Sequence, residues 1–352
     1  MTKKRRITPW LLLLLAALAL AIGGVACGGD DDDDGGGGED SISVGLVTDT
    51  GGVDDRGFNE FSINGLERAE EELGVEKRIY VSQSADDYLP NLTAAAEDGH
   101  DLIIAVGFLL APATIETATK FPDQSFAGVD HFYGEAGDEA CEEAGTCAVP
   151  NALGMQYPSE ESGYLAGVVA ALMSKSGTVS TVGGIKIPPV DNWIAGYRKG
   201  IMDTKPSVKH LNAYSDDFDD LAKCKEIALD QIEQGSDVVF QVAGKCGLGA
   251  LDAACERNVM AIGVDVDQSS QGPCVIVSAL KPLDSSVFDL IQTFQNGEFQ
   301  GGTNAFYGIA DLEDAQLLTD FQGDVPQNVQ DAVEEAEQKL KDGTIDPPAT
   351  LK

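Results

Sequence analysis

Three aspartates, Asp49, Asp130 and Asp265, each come at the end of a short, mostly apolar segment. The segments are residues 42–49, 125–130 and 259–265. Apolar runs of this length are typical of buried strands, and the carboxyl ends of parallel strands meet at the crevice where ligands bind. Because carboxylates accept hydrogen bonds, the sequence predicts a polar binding pocket formed by these side chains. Asp267 is an alternative to Asp265, but we prefer the residue that ends the apolar run.

The first of these aspartates opens the most specific motif of the chain, residues 49–59, which read DTGGVDDRGFN. Its paired glycines permit backbone turns that a side chain would obstruct, and Asn59 is predicted to cap the following helix. Phe58 has two interpretations. It packs on Ile63 as a hydrophobic staple, or its ring offers a flat face to a planar ligand.

Catalytic motifs are weak or missing in the sequence. Residues 244–249 are glycine-rich but lack the Lys-Ser/Thr ending of a phosphate loop, so we expect a turn into the next helix. Neither a G-x-S-x-G nor an H-E-x-x-H pattern occurs. Paired carboxylates could catalyse glycoside hydrolysis, but the same residues are equally suited to a binding site. We therefore predict a binding protein rather than an enzyme, with no metal or cofactor, because His100, His131 and His210 show no ligand spacing.

Strand-like and helix-like segments alternate from residue 42 onwards, and the alternation restarts after residues 141–150. This order predicts an α/β fold with two doubly wound parallel-sheet lobes and a ligand cleft between them. We assign residues 42–152 to the first lobe, to which part of 278–315 returns. Residues 153–277 form the second lobe, together with part of the C-terminal segment.

The N-terminus has the pattern of an export signal. Four basic residues (3–6) precede an apolar run at 11–22, which is short for a membrane span but suits a secretory signal. The run ends in Gly-Val-Ala-Cys, which resembles the lipobox of bacterial lipoproteins. We therefore expect residues 1–26 to be a signal peptide, Cys27 to carry a lipid, and residues 27–41 to be a disordered tether. The alternative is an ordinary cleaved signal with Cys27 free. The predicted location is the extracytoplasmic side of the cell membrane.

The composition is strongly acidic, with 23 Lys and Arg against 59 Asp and Glu. Nucleic acid is therefore excluded as an expected partner. Apart from Cys27, six cysteines remain, and an even number in an exported chain favours disulfides. Of the 15 pairings that six cysteines allow, Cys141 with Cys147 is the bond we predict, because the two bracket a glycine-containing acidic loop.

The motif at residues 49–59 resembles the signature of the basic membrane protein (BMP) family, Asp-x-Gly-Gly-x-x-Asp-x-Ser-Phe-Asn, with Gly57 in place of the usual serine. Further segments are similar to the family in the same order. They are residues 126–130, 161–167, 182–184, 242–244, 263–268 and 278–281. The resemblance implies a type I periplasmic-binding-protein fold. It also implies a lipoprotein that binds nucleosides for an ABC importer, with permease and ATPase subunits as partners, and we expect a monomer.

The resemblance further implies the ligand-binding residues. They are Asp49, Phe58, Asn59, Asp130, Phe218, Gly244, Asp265 and Lys281. In that assignment the carboxylates accept hydrogen bonds from ribose hydroxyls and an aromatic pair holds the base. Tyr214 or Trp193 could replace Phe218, and Lys281 could instead be a surface lysine. A sugar-binding protein, or an envelope sensor of the same fold, is the alternative function.

Overall fold

The computed structural model describes residues 41–311 and 316–351. The predicted signal peptide, Cys27 and all but the last residue of the tether lie outside these ranges. The strands of the described part are β1 (Ser43–Val47), β2 (Glu76–Tyr80), β3 (Leu102–Val106), β4 (Ser125–Val129), β5 (Ala152–Gln156), β6 (Thr178–Gly183), β7 (Lys209–Tyr214), β8 (Val238–Val242), β9 (Met260–Asp265), β10 (Val275–Leu280) and β11 (Thr303–Phe306). The helices are α1 (Phe58–Leu73), α2 (Tyr88–Glu97), α3 (Ala111–Lys120), α4 (Glu139–Ala144), α5 (Ser159–Met173), α6 (Pro188–Thr204), α7 (Leu221–Glu233), α8 (Gly244–Glu256), α9 (Leu283–Gln295) and α10 (Gln327–Lys341).

The strands form two parallel sheets. The first has the order β11-β5-β4-β3-β1-β2, and the second has the order β10-β9-β8-β6-β7. All neighbouring strands in both sheets run parallel. Helices cover both faces of each sheet, so central strands such as β3, with the sequence LIIAV, are buried on both sides. The predicted fold class of two parallel α/β lobes is confirmed.

The chain passes from one lobe to the other more than once. β5 begins at Ala152 and pairs with β4, so the first sheet extends to Gln156. After β10 the chain returns to the first lobe, where α9 packs with α1 and β11 pairs with β5. Residue 318 then bridges to β10, and α10 packs in the core of the second lobe.

Glycines bring α5 and α6 close together. A Cβ atom at Gly163 or Gly167 of α5 would collide with the backbone carbonyl oxygens of Trp193 or Tyr197 on α6. A Cβ atom at Gly200 of α6 would in turn collide with the α5 backbone. This close approach fixes α6 against α5, and with it the indole of Trp193, which is 2% exposed.

Three disulfides are present among the described residues: Cys141–Cys147, Cys224–Cys246 and Cys255–Cys274. The first is the pair proposed from the sequence. In the same part of the chain, no helix is both long enough and apolar enough to cross a membrane.

Candidate ligand-binding site

A cavity lies between the lobes, at the carboxyl ends of the strands. All of the residues assigned from the sequence line it, and the two lobes both contribute. Asp49, Phe58, Asn59 and Asp130 come from the first lobe. Phe218, Gly244, Asp265 and Lys281 come from the second lobe or from the end of its last strand.

Asp49 follows β1 by two residues, and hydrogen bonds hold its carboxylate in place. Its carboxylate accepts hydrogen bonds from the Tyr88 hydroxyl and from the Thr50 N–H, the latter at 2.7 Å. Gly107, with φ of 116°, passes so close that a Cβ atom there would lie 2.5 Å from the carboxylate. Burial raises the pKa of Asp49, against the effect of these hydrogen bonds.

The glycine-rich motif forms a loop that Asp55 and Asn59 hold together. Asp55 is buried and accepts hydrogen bonds from the N–H groups of Gly57, Asn59 and Glu60 at 3.1, 2.9 and 3.0 Å. Gly57 is the N-cap residue of α1, and Asp55 satisfies the N–H groups at the helix start from two residues before it, so the prediction that Asn59 is the N-cap is wrong. The Asn59 side chain instead accepts from the Asp49 N–H at 3.0 Å and donates to the Thr50 carbonyl at 3.2 Å.

Asp130 and Lys281 form a buried ion pair between the lobes. The Lys281 ammonium lies 3.0 and 2.7 Å from the two Asp130 carboxylate oxygens. The Lys281 side chain is only 3% exposed and that of Asp130 only 9%. The same ammonium lies 5.2 Å from the ring centre of Phe58 and 5.1 Å from that of Tyr157. Lys281 is therefore not a surface lysine.

Asp265 is the last residue of β9 and is buried in the cavity wall. Burial raises the pKa of Asp265 to about 6. Lys281 opposes this shift, while Asp130 and Asp55 add to it. Asp267 is exposed and accepts a hydrogen bond from the Ser269 N–H at 2.9 Å. Asp265, not Asp267, therefore faces the cavity.

Aromatic side chains from both lobes line the cavity. Phe58 and Phe108 belong to the first lobe, and Trp193 and Phe218 to the second. Tyr214 does not line it, since its hydroxyl donates to Asp191 and its ring packs with the core of the second lobe. Phe58 is the first residue of α1, not the residue before its cap, so the predicted staple geometry is wrong. The residue still packs in the same apolar cluster as Ile63.

Gly244 is the first residue of α8, so residues 244–249 are the first turns of that helix and not a preceding turn. Its φ of 54° is unfavourable for residues with a side chain. A Cβ atom at Gly244 would be in ordinary contact with the Phe218 ring, at 3.7 Å.

Sequence reasoning missed several lining residues, among them Asp55, Phe108 and Lys245. Phe108 could have been found, because it follows β3 at the same edge of the sheet as Asp49 and Asp130. The site as a whole offers buried carboxylate acceptors, one buried ammonium and aromatic walls. Within the described ranges, no group of three or more His, Cys, Asp or Glu side chains is placed to hold a metal ion.

Comparison with known proteins identifies the family of the chain. A family model described as ABC transporter substrate-binding protein PnrA-like (Bmp) matches residues 42–345. The chain is 32% identical over 328 residues to the CD4+ T-cell-stimulating antigen of Listeria monocytogenes, covering 87% of this chain and 88% of that protein. It is 30% identical over 330 residues to the ABC transporter nucleoside-binding protein BmpA of Lactococcus lactis, covering 88% of this chain and 89% of that protein.

Among solved structures, an ABC transporter solute-binding protein from Aeropyrum pernix superposes with a TM-score of 0.76 and 25% identity, covering 88% of this chain and 94% of that one. The family, the relatives and the fold are those of substrate-binding transport proteins and not of enzymes. The resemblance predicted from residues 49–59 and the later segments is thus confirmed. The chain belongs to the Bmp family of PnrA-like ABC transporter substrate-binding proteins.

Proposed function

We propose that the chain captures nucleosides in the cleft between its lobes and delivers them to an ABC permease. The observation that carries the proposal is the combination, in one cavity, of buried carboxylates with aromatic rings from both lobes. A nucleoside has the complementary parts, a ribose with hydroxyl donors and a planar base. The Lactococcus lactis relative is named as a nucleoside-binding protein, which is consistent with the proposal.

The carboxylates have the role of ribose acceptors in this proposal. Asp49 follows β1 of the first lobe, Asp265 ends β9 of the second, and both line the same cavity, so a ligand bonded to both would hold the lobes together. Asp130 is already paired with Lys281, so this pair supplies both an acceptor and a donor to the polar edge of the base. Phe58 and Phe218 offer ring faces to the base, and Trp193 is a third ring in the same wall.

Delivery requires the protein to stay close to its transporter. We propose that Cys27 carries the lipid that anchors a monomeric chain outside the membrane, where permease and ATPase subunits complete the importer. Intact-mass analysis of the mature protein tests the anchor. An N-terminus at Cys27 with added acyl mass is expected, and a mature form that begins elsewhere and has no acyl mass would end this part of the proposal.

A thermal-shift panel tests the ligand class. Nucleosides, free bases, simple sugars and amino acids are each added to the protein without its signal peptide. A ligand that binds only the folded state raises the melting temperature according to its affinity and concentration. Nucleosides are expected to give the largest shift. If ribose or another simple sugar binds as tightly as adenosine, inosine or uridine, the sugar-binding alternative replaces the proposal.

A further inference from the structure

The Cys224–Cys246 disulfide joins two segments that both line the cavity. Cys224 lies in the first turns of α7, shortly after Phe218, and Cys246 lies two residues after Gly244 at the start of α8. Both cysteines are fully buried. The bond therefore ties the segment that carries Phe218 to the helix start that carries Gly244.

Two noncovalent links join the same segments. The N–H of Cys246 donates to the carbonyl of Phe218 at 2.9 Å. The Lys245 ammonium lies 2.8 Å from the Asp219 carboxylate, although this pair is substantially exposed and contributes little by itself. The Phe218 side chain also lies in van der Waals range of the backbone at Gly244. The start of α8 thus holds the backbone of Phe218, while its ring packs most closely against Gly184, where a Cβ atom would collide with the ring.

Elsewhere the segment between β7 and α7 is held to the sheet at its beginning, where the N–H groups of Ser215 and Asp216 donate to the carbonyls of Gly183 and Gly184 at 2.9 and 3.1 Å. Residues 215–220 contain no helix or strand, and Asp216 has a φ of 55°. Most of its hydrogen bonds are local, such as those from the N–H groups of Asp219 and Asp220 to Asp217 at 2.8 and 2.9 Å. Ordering such a segment when a ligand binds costs conformational entropy that a preformed wall avoids.

We propose that the Cys224–Cys246 disulfide positions Phe218 for ligand stacking, so that reduction of this bond weakens binding of a planar base. Cys224 and Cys246 are positioning residues, since they act on the ligand through Phe218 and Gly244. The affinity half of the inference rests on the proposed nucleoside function. The positioning half concerns the protein alone.

The Cys255–Cys274 disulfide is a matched control in the same lobe. Its cysteines are 19 residues apart, against 22 for Cys224 and Cys246, so removing either bond changes the entropy of the unfolded chain by a similar amount. Cys255 lies at the end of α8 and Cys274 just before β10. This bond is therefore at the edge of the sheet opposite the cavity.

The first arm of the test needs no ligand. Hydrogen exchange is followed in peptides that cover residues 215–222 and 244–248 of the wild type, of Cys224→Ala/Cys246→Ala and of Cys255→Ala/Cys274→Ala. We expect these peptides to lose protection only in the first variant. Equal protection in all three proteins would overturn the inference, whatever the ligand is. If the first variant fails to fold, Cys224→Val/Cys246→Ala, which fills more of the buried volume, takes its place.

The second arm measures nucleoside affinity by calorimetry. Loss of Cys224–Cys246 is expected to weaken binding by about two- to tenfold, the cost of ordering one side chain on binding, while the control variant keeps the wild-type affinity. In a Phe218→Leu background the disulfide should have no further effect. The inference would be overturned if the wild type binds nucleoside and both disulfide variants bind it with the same affinity as the wild type. A wild type that binds no nucleoside would instead overturn the proposed function.

Discussion

Asp130 and Asp265 share a backbone conformation that few residues with a side chain adopt. Their φ angles are 62° and 65°, and each lies at the carboxyl end of a strand, one in each lobe. Aspartate tolerates this left-handed region better than most residues because its short side chain forms local hydrogen bonds. The conformation still costs energy, so its recurrence at the same place in both lobes indicates a functional reason. In both cases the carboxylate lines the cavity.

Replacing Asp265 tests its role as a ligand acceptor. Asp265→Ala should weaken nucleoside binding by about 1.5–3 kcal/mol, the range for hydrogen bonds that involve a charged group. Asp267→Ala is the matched control, because Asp267 is a neighbouring aspartate that is exposed and does not line the cavity. Calorimetry with both variants measures the difference. Unchanged affinity in a folded Asp265→Ala protein would show that the site assignment is wrong.

The same carboxyl group gives a pH dependence. Burial raises the pKa of Asp265 from 3.8 to about 6, so between these pH values the folded state binds more protons than the unfolded state. Above pH 6 the ionised Asp265 carboxylate destabilises the folded state by up to about 3 kcal/mol. This penalty is relieved as the pH falls from about 6 towards 4, because the folded protein takes up a proton at Asp265. We expect ligand-free Asp265→Asn to melt at a higher temperature than the wild type at pH 8. The gap should narrow at pH 4.5, and a gap that stays constant over this range would contradict the shift.

The sequence located the cavity residues better than it described their contacts. The aspartates at strand ends could be recognised because they terminate apolar runs, and the family motif supplied Phe58 and Asn59. The sequence did not show that Asp55 rather than Asn59 satisfies the N–H groups at the start of α1, since both are good capping residues and only the helix start distinguishes them. Nor could it show that Lys281 pairs with Asp130, because the two lie 151 residues apart and in different lobes.

At the scale of elements, α1 depends on Asp55. Its carboxylate accepts three backbone N–H groups at the helix start, which would otherwise have no partner inside the helix. Asp55→Ala should lower the free energy of unfolding by about 0.5–2 kcal/mol, the usual cost of losing an N-terminal cap. Asp54→Ala is the control, because Asp54 is exposed. Urea unfolding of the two variants measures the effect, and equal midpoints would argue against the capping role.

Elements with a strong local signal were predicted well, and the others were not. β4 coincides with the predicted segment 125–130 up to the aspartate that ends it, because four of its five residues are buried. β11 was missed because it is a four-residue edge strand whose end residues are exposed. α10 carries a helical signal, since its buried residues recur every three or four positions, and it lies in the C-terminal segment for which no helix is predicted above.

At the scale of the whole molecule, the Asp130–Lys281 pair is a charged link between the lobes. Asp130 follows β4 of the first sheet, and Lys281 follows β10 of the second. Lys281 lies where the chain crosses back to the first lobe, and its own N–H donates to the Asp265 carbonyl at 2.9 Å. A movement of one lobe against the other would stretch this pair. Because both charges are buried, neither can exchange its partner for water without cost.

Removing one partner of the Asp130–Lys281 pair should therefore lower the free energy of unfolding more than removing both. Lys281→Met keeps the apolar stem but leaves Asp130 as a buried charge without its ammonium, so we expect a loss of about 3–5 kcal/mol in the free energy of unfolding. The double variant Asp130→Asn/Lys281→Met should recover much of that loss. The exposed pair Lys199–Asp203 on α6 is the control, and the same cycle there should give a coupling below about 1 kcal/mol. Strictly additive effects at Asp130 and Lys281, measured by urea unfolding without ligand, would show that the two charges do not depend on each other and that the lobes are held together by other contacts.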